Sequence, residues 1–329
     1  MDAPVAAAEL AARLRVGERR ALAQAISLVE STRADHRSQA EALLSELLPF
    51  TGGAHRVALT GPPGAGKSSL VDALGAQALL AGQRVAVLAI DPASAQSGGS
   101  LLGDAVRMQR LAASERVFLR GSSNSGTLGG TAPGTREAVL LCEAAGFELV
   151  LVETVGVGQA EQAVREVCDT LIVVALAGAG DEVQGIKRGL FEVADVALVN
   201  KADGAGEAAA LAFATQLSGA LALLRPQSAP HVAVASAHTG RGIPELLNLL
   251  AARVKSLRDT GELGRRREQQ LKQAFSSALS RELLARVAAD ERACELLPEL
   301  EAKVRSGKLL PTAAARELAA ALFGRRAQP

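Results

Sequence analysis

The chain has no tryptophan, no tyrosine and only seven phenylalanines, so aromatic side chains make up 2% of it. Proteins that grip single-stranded nucleic acid stack bases on aromatic rings, and a chain this poor in rings has little material for such a platform. An excess of one charge sign is also missing: 36 Lys and Arg against 35 Asp and Glu give a net charge of +1. That balance excludes the strongly basic face of an electrostatic nucleic-acid clamp. Cysteine is scarce. Cys142, Cys168 and Cys294 are odd in number and far apart, with no C-x-x-C pair, so neither a disulfide framework nor a metal-type spacing is expected, and a reducing compartment is. All three are expected to be buried thiols that behave as small hydrophobes. Met1 to Val5 shows no basic segment leading into an apolar one, which argues against a signal peptide. The apolar run Leu171–Gly180 is about half of the ~20 residues a membrane-spanning helix needs. These absences predict a soluble, cytoplasmic protein with no nucleic-acid or membrane partner. Its ligand must be held by backbone groups, charges and aliphatic contacts.

What is present is apolar patterning, and at 329 residues and 48% hydrophobic the chain can bury a sizeable core. Residues 2–48 carry apolar side chains at helical spacing: Leu10 and Leu14, then Leu22, Ile26 and Val29, then Leu43, Leu44, Leu47 and Leu48. Two or three amphipathic helices are expected, and Pro49 to Gly53 ends them. From Arg56 the period changes. Short β-branched runs stand at Val57–Thr60, Val85–Ile90, Leu149–Val152, Leu171–Ala175, Val196–Val199 and Val232–Ala235. Helical segments separate them at Ser68–Leu80, Thr135–Ala145, Gln184–Val193 and Glu207–Leu217, and Ile243–Leu257 follows. Continuous apolar strands alternating with helices predict an α/β fold whose mostly parallel sheet is covered on both faces. Gly261 and Gly264 mark a second boundary, and Arg265–Phe323 is helical again, punctuated by Pro298 and Pro311. Arg265, Arg266 and Arg267 read as a solvated helix face. The expected division is a helical extension at 1–53, an α/β domain at 54–258 and a helical arm at 259–329.

The strongest motif is Gly61, Pro62, Pro63, Gly64, Ala65, Gly66, Lys67 and Ser68, which fits G-x-x-x-x-G-K-[ST] between a predicted strand and a predicted helix. Its glycines let backbone N–H groups close around phosphate oxygens, and the helix N-terminus adds a favourable dipole. Lys67 can reach the β- and γ-phosphates and the Ser68 hydroxyl can ligate Mg²⁺. Ser69 is a further expected nucleotide contact. Glu153 closes the run Leu149–Val152 and supplies the acid that holds Mg²⁺ from a neighbouring strand end. Gly156 can bring a backbone N–H to the γ-phosphate.

Asn200, Lys201 and Asp203 form N-K-x-D after a hydrophobic strand. The Asp203 carboxylate can accept from guanine N1–H and the N2 amino group, which adenine lacks, so ATP would leave a buried acid unpaired. The Lys201 stem can cover the purine face, and Ser236 and Ala237 can place a backbone N–H near guanine O6. Asp91 and Asp104 lie in a Gly/Ser/Asp-rich stretch and are candidates for Mg²⁺ coordination or for orienting the attacking water; turn capping is the alternative. GTP or GDP with Mg²⁺ is the expected ligand set.

Taken together these residues resemble the MeaB type of GTPases associated with methylmalonyl-CoA mutase, the ArgK/MeaB family within the metallochaperone-like branch of P-loop GTPases. The resemblance covers about residues 10–260 and is carried by Glu153–Gln159, Gly180–Gly189, Ser125–Gly130 and Leu140–Gly146. It implies a P-loop fold and a homodimeric GTPase. It also implies a partner, an adenosylcobalamin-dependent acyl-CoA mutase whose cofactor loading is gated and which is protected from inactivation. Asp181, Gln184 and Lys187 would couple nucleotide state to that partner, and the C-terminal helices would form a dimerisation arm. The chain departs from the family at Ala132–Gly134, where members carry a basic residue or two, and at Val106, where they carry Thr.

Two other readings compete. One is a metal-insertion GTPase of the nickel or zinc type, against which stand the scattered His36, His55, His231 and His238 and the unpaired cysteines. The other is a protein kinase acting on a transport protein, for which no acceptor-binding domain is evident.

Overall fold

A computed structural model of the chain describes residues 7–91, 108–123, 134–154, 164–178 and 188–323. It divides into two compact units, Met1–Arg267 and Glu268–Pro329. The first begins with three helices, α1 (Ala7–Arg15), α2 (Arg19–Val29) and α3 (Ala34–Leu47). The expected stripe of Leu10, Leu14, Leu22, Ile26, Leu43 and Leu47 is buried, whereas Leu48 starts a 3₁₀ turn and is exposed.

Strands and helices then alternate: β1 (His55–Thr60), α4 (Lys67–Leu80), β2 (Val85–Asp91), α5 (Gln109–Ala112), β3 (Val117–Ser123), α6 (Thr135–Ala144) and β4 (Leu149–Thr154). They continue as β5 (Thr170–Leu176), α7 (Arg188–Val193), β6 (Val196–Asn200), α8 (Glu207–Leu224), β7 (His231–Val234) and α9 (Ile243–Asp259). The seven strands form one sheet in the order β3-β2-β4-β1-β5-β6-β7, with every pair parallel. Its central strands read as unbroken apolar runs because both faces are covered. Ala58, Val150, Val152 and Val173 face α1–α3, α6 and α8, while Val57, Leu59, Leu151 and Ile172 face α4 and α9.

The strand β3 has no counterpart among the six apolar runs of the sequence. After Val117, Phe118 and Leu119 it turns polar at Arg120, which an edge strand with a single neighbour tolerates. The helix α8 also runs past its expected end, and Gly204–Leu224 has a mean hydropathy of 1.4, enough by length and composition to cross a membrane. Within this segment Ala208–Leu224 carries no Asp, Glu, Lys or Arg and is longer than Leu171–Gly180. It packs on β6 and β7, burying Ala210, Ala214, Leu217 and Leu221.

Ion pairs brace the N-terminal ends of the strands. Arg56 binds Glu143 through two hydrogen bonds of 2.9 and 2.7 Å, and both groups are buried. Arg267 binds Asp169 at 2.8 and 2.7 Å and donates to the carbonyls of Gly52 and Ala54. The arginine run is therefore not uniformly solvated: Arg265 is exposed and pairs with Glu262, but Arg266 and Arg267 point inward to acids that the linear sequence does not place beside them. Cys142 and Cys168 are buried and burial pushes both thiols up, so they stay protonated, whereas Cys294 is exposed, contrary to expectation.

A long helix, α10 (Glu262–Ala289), begins in the first unit. Its remainder, α11 (Glu291–Arg305) and α12 (Pro311–Phe323) make up the described part of the second. Asp290 caps α11 by accepting from the N–H groups of Arg292 and Ala293. Pro311 opens α12, while Pro298 sits inside α11 without ending it. Leu271, Phe275, Leu279 and Leu283 recur every fourth residue on α10 and are exposed.

Candidate nucleotide site

Parallel α/β sheets place ligands beyond the carboxyl ends of their strands, and the sequence motifs gather there. The loop after β1 needs its glycines for two reasons. Gly61, Gly64 and Gly66 all have positive φ, at 149°, 76° and 82°, where L side chains are strained. At two of them space is also closed: a methyl group on Gly61 would run into the Val174 carbonyl, and one on Gly66 would sit 2.6 Å from Asn200 Nδ2. The loop thus nests against the strands on one side and leaves Pro63, Gly64 and Ser69 exposed on the other.

Lys67 opens α4 and folds back over this loop. Its ammonium is buried and donates to the carbonyls of Gly61 and Pro62 at 2.8 and 3.0 Å. The next residue, Ser68, donates its hydroxyl to Glu153 Oε1 at 2.7 Å. Glu153 comes from β4, in register with Leu59 of β1 and Ala89 of β2, so sheet pairing alone delivers the acid to the loop.

Asn200 ends β6 and bridges two loops. Its Nδ2 donates to the Ala65 carbonyl at 2.8 Å, and its Oδ1 accepts from the Ala237 N–H at 3.3 Å. Lys201 then takes a left-handed backbone, φ 61°, the one non-glycine among the described residues to do so. The Ala202 N–H donates to Ala235 O at 3.1 Å, fastening the turn to the end of the neighbouring strand. Asp203 accepts a hydrogen bond from the Ser236 hydroxyl, which itself accepts from the Thr239 N–H at 3.1 Å.

The role of that hydroxyl escapes the sequence reading, which weighs only the backbone of Ser236. Its N–H is in fact used on Arg241 O at 2.9 Å. The available signal was a hydroxyl residue in the turn next to an isolated carboxylate.

The structure therefore brings Gly61 to Ser69, Glu153, Asn200 to Asp203, Ser236 and Ala237 to one end of the sheet. Asp91 closes β2, paired with Ser123 of β3. Asp104, Gly156, Asp181, Gln184 and Lys187 lie outside the described residues. Among the described residues no group of three or more His, Cys, Asp or Glu could hold a metal ion.

A parallel sheet of this order, a glycine loop closing on a buried lysine, an acid on the adjoining strand and an N-K-x-D turn define a P-loop GTPase. Comparison with known proteins narrows the class. A family model described as methylmalonyl Co-A mutase-associated GTPase MeaB matches residues 22–292. The chain is 48% identical over 313 residues to a probable GTPase of Mycobacterium tuberculosis, covering 94% of this chain and 93% of that one. It is 40% identical over 314 residues to GTPase ArgK of Escherichia coli, covering 94% and 95%. A crystal structure described as LAO/AO transport system kinase matches with a TM-score of 0.77 at 33% identity, over 98% of this chain and 99% of that one. The chain belongs to the MeaB family of methylmalonyl-CoA mutase-associated GTPases.

Proposed function

We propose that this GTPase is Mg²⁺-dependent and acts as a chaperone of an adenosylcobalamin-dependent acyl-CoA mutase, gating cofactor loading and protecting the mutase from inactivation. The observation that carries the Mg²⁺ assignment is the 2.7 Å contact between Ser68 and Glu153. A hydroxyl and a carboxylate are the hard oxygen donors this ion takes, and Mg²⁺ keeps several waters. Ser68 would hold it directly and Glu153 through water, with Asp91 and Asp104 as further candidates. When bound, the ion supplies neutralisation of charge on the β- and γ-phosphate oxygens.

The chain's own residues do the rest by positioning and electrostatics. Loop N–H groups cradle the phosphates, and Lys67 exchanges its loop carbonyls for β- and γ-oxygens. Asp203, steadied by Ser236, accepts from the guanine N1–H and N2 amino group. The Lys201 stem covers the purine face. Of the two N–H groups in the neighbouring turn, that of Ala237 has the longer bond, 3.3 Å, and is the one to turn toward guanine O6. The Gly156 N–H meets the γ-phosphate as water attacks in line.

The family description supplies the partner class. Asp181, Gln184 and Lys187 are proposed to couple nucleotide state to the mutase. The exposed row from Leu271 to Leu283 supports a homodimer through the helical arm, and the scarcity of cysteine supports the proposed cytoplasmic location. The purified protein should hydrolyse GTP slowly, stop when EDTA is added, and run faster with the mutase present. ATP hydrolysed as fast as GTP would overturn the nucleotide assignment, and no response to any acyl-CoA mutase would overturn the partner. With γ-labelled GTP the label should appear as free phosphate; its transfer to a protein would favour a kinase.

A further inference from the structure

One face of α4 links the phosphate loop to α5. Ser68, Asp72 and Gly75 stand at positions i, i+4 and i+7 of the helix and share that face. Ser68 donates to Glu153. One turn further on, Asp72 is buried. Its Oδ1 accepts from the Leu111 N–H at 3.2 Å, and Arg110 Nε stands 3.8 Å from its Oδ2. Leu111 is the third residue of α5, and Met108, which precedes that helix, makes no side-chain cap. A carboxylate on α4 thus satisfies an open N–H at the start of another helix.

Gly75 lets the two elements come close. A methyl group there would stand 2.8 Å from Leu111 Cδ1, and Leu111 is fully buried. Met108 is buried as well. Burial raises the Asp72 carboxyl above its usual range, against the Leu111 N–H and Arg110, whereas the apolar packing of Met108 and Leu111 carries no such penalty.

The place of α5 in the chain says what a fixed anchor here can do. Of the two further Mg²⁺ candidates, Asp91 is held by its pairing on β2. Asp104 lies four residues before Met108, and four residues of chain reach at most about 14 Å. Asp72 is one helical turn, about 6 Å, from Ser68. An anchor at Met108–Leu111 is therefore close enough to the first turn of α4 to limit where Asp104 can go.

We propose that Asp72 is a positioning residue for GTP hydrolysis: by holding the start of α5 on the helix that opens with Lys67 and Ser68, it sets the approach of Asp104 to Mg²⁺. The inference rests on the reading of Asp104 as a Mg²⁺ acid. Asp72 acts through α5 and is not itself a ligand.

Titration calorimetry of Mg²⁺ into the full chain loaded with a non-hydrolysable GTP analogue tests this, alongside GTP turnover. Asp72→Ala should weaken Mg²⁺ binding at least threefold and lower kcat at least fivefold, while GDP affinity measured in EDTA stays unchanged. Asp72→Asn keeps an acceptor for the Leu111 N–H and should recover most of both losses. Should Asp72→Ala fail to fold, Gly75→Ala decides: it pushes on Leu111 without altering the acid, and replacing glycine inside a helix favours the helix. It should weaken Mg²⁺ in the same direction, and unchanged Mg²⁺ affinity there would overturn the proposal. Asp104→Ala separates the two readings. If it leaves Mg²⁺ affinity unchanged, the assignment of Asp104 falls and the proposal with it. If Asp104→Ala weakens Mg²⁺ while Asp72→Ala lowers only the urea midpoint, Asp72 serves the fold alone and the proposal is overturned.

Discussion

Asn200 ties two distant loops together: its side-chain amide donates to the Ala65 carbonyl at 2.8 Å, joining the turn after β6 to the glycine loop after β1. Replacing Asn200 by Ala leaves that buried carbonyl unpaired, at a cost of about 1–3 kcal/mol. Because the same side chain also accepts from Ala237, Asn200→Ala should weaken GDP binding as well as lower the urea midpoint. Retained GDP affinity in a destabilised variant would show that the bridge serves the fold alone.

The Ser236 hydroxyl fixes the Asp203 carboxylate. Ser236→Ala removes two hydrogen bonds, to Asp203 and from the Thr239 N–H; the one to Asp203 is worth about 1 kcal/mol or roughly fivefold in affinity. The GTP dissociation constant should rise by that order, with Lys67-dependent hydrolysis otherwise intact. Equal loss for GTP and ATP in a competition assay would mean that Ser236 has no part in base selection.

Gly61→Ala places a methyl group against the Val174 carbonyl at a backbone φ of 149°. Strain of this kind costs about 1–3 kcal/mol before the clash is counted. The variant should lose thermal stability and nucleotide binding together. Gly64→Ala has open space at its methyl position and should show the smaller loss.

Much of the fold was legible because burial on both faces forces unbroken apolar strands, so Val57–Thr60, Leu149–Val152 and Val196–Val199 announced themselves. The glycine loop and Asn200–Asp203 were legible because phosphate and base contacts demand particular residue types in a fixed order. At the edge, β3 tolerates Arg120 and Ser122 after only three apolar residues, which hid it, whereas the other edge strand, β7, kept its apolar run. Arg266 and Arg267 were misread because their partners, Asp195 and Asp169, are far away in sequence, and a charge run alone does not reveal which of its members faces inward. Ser236 was half-seen: the turn was found, but a hydroxyl's partner depends on the folded turn.

Arg56 and Glu143 form a buried pair with side-chain exposures of 7% and 0%. Arg56→Met leaves Glu143 charged and poorly paired, and a cost of about 3–5 kcal/mol is expected from urea unfolding. The double variant Arg56→Met with Glu143→Leu should recover most of that loss. A double variant no more stable than the single would show that Glu143 is needed for its hydrogen bond to the Gly52 N–H.

Burial pushes the His55 imidazole down to about 4, against the pull of Asp169. In the unfolded chain it titrates near 6.5, so between these values the unfolded state holds the extra proton and stability rises with pH. The contribution is complete above about pH 6.5 and shrinks by about 3 kcal/mol as pH falls to 4. His55→Gln should flatten this part of a pH series of urea midpoints. At lower pH a further loss is expected from Asp195, whose carboxyl burial would raise but Arg165 and Arg266 hold below the usual range.

Lys201 carries a left-handed turn, φ 61°. That backbone costs an L residue roughly 1–2 kcal/mol, and the Ala202 to Ala235 bond and the two bonds of Asn200 hold it there. The base cradle is thus preorganised, and an arriving guanine is not charged the entropy of ordering it. Base selection by this cradle would then be the same for GDP and GTP. Which base is bound and how many phosphates it carries become separate questions, answered at different places in one cleft.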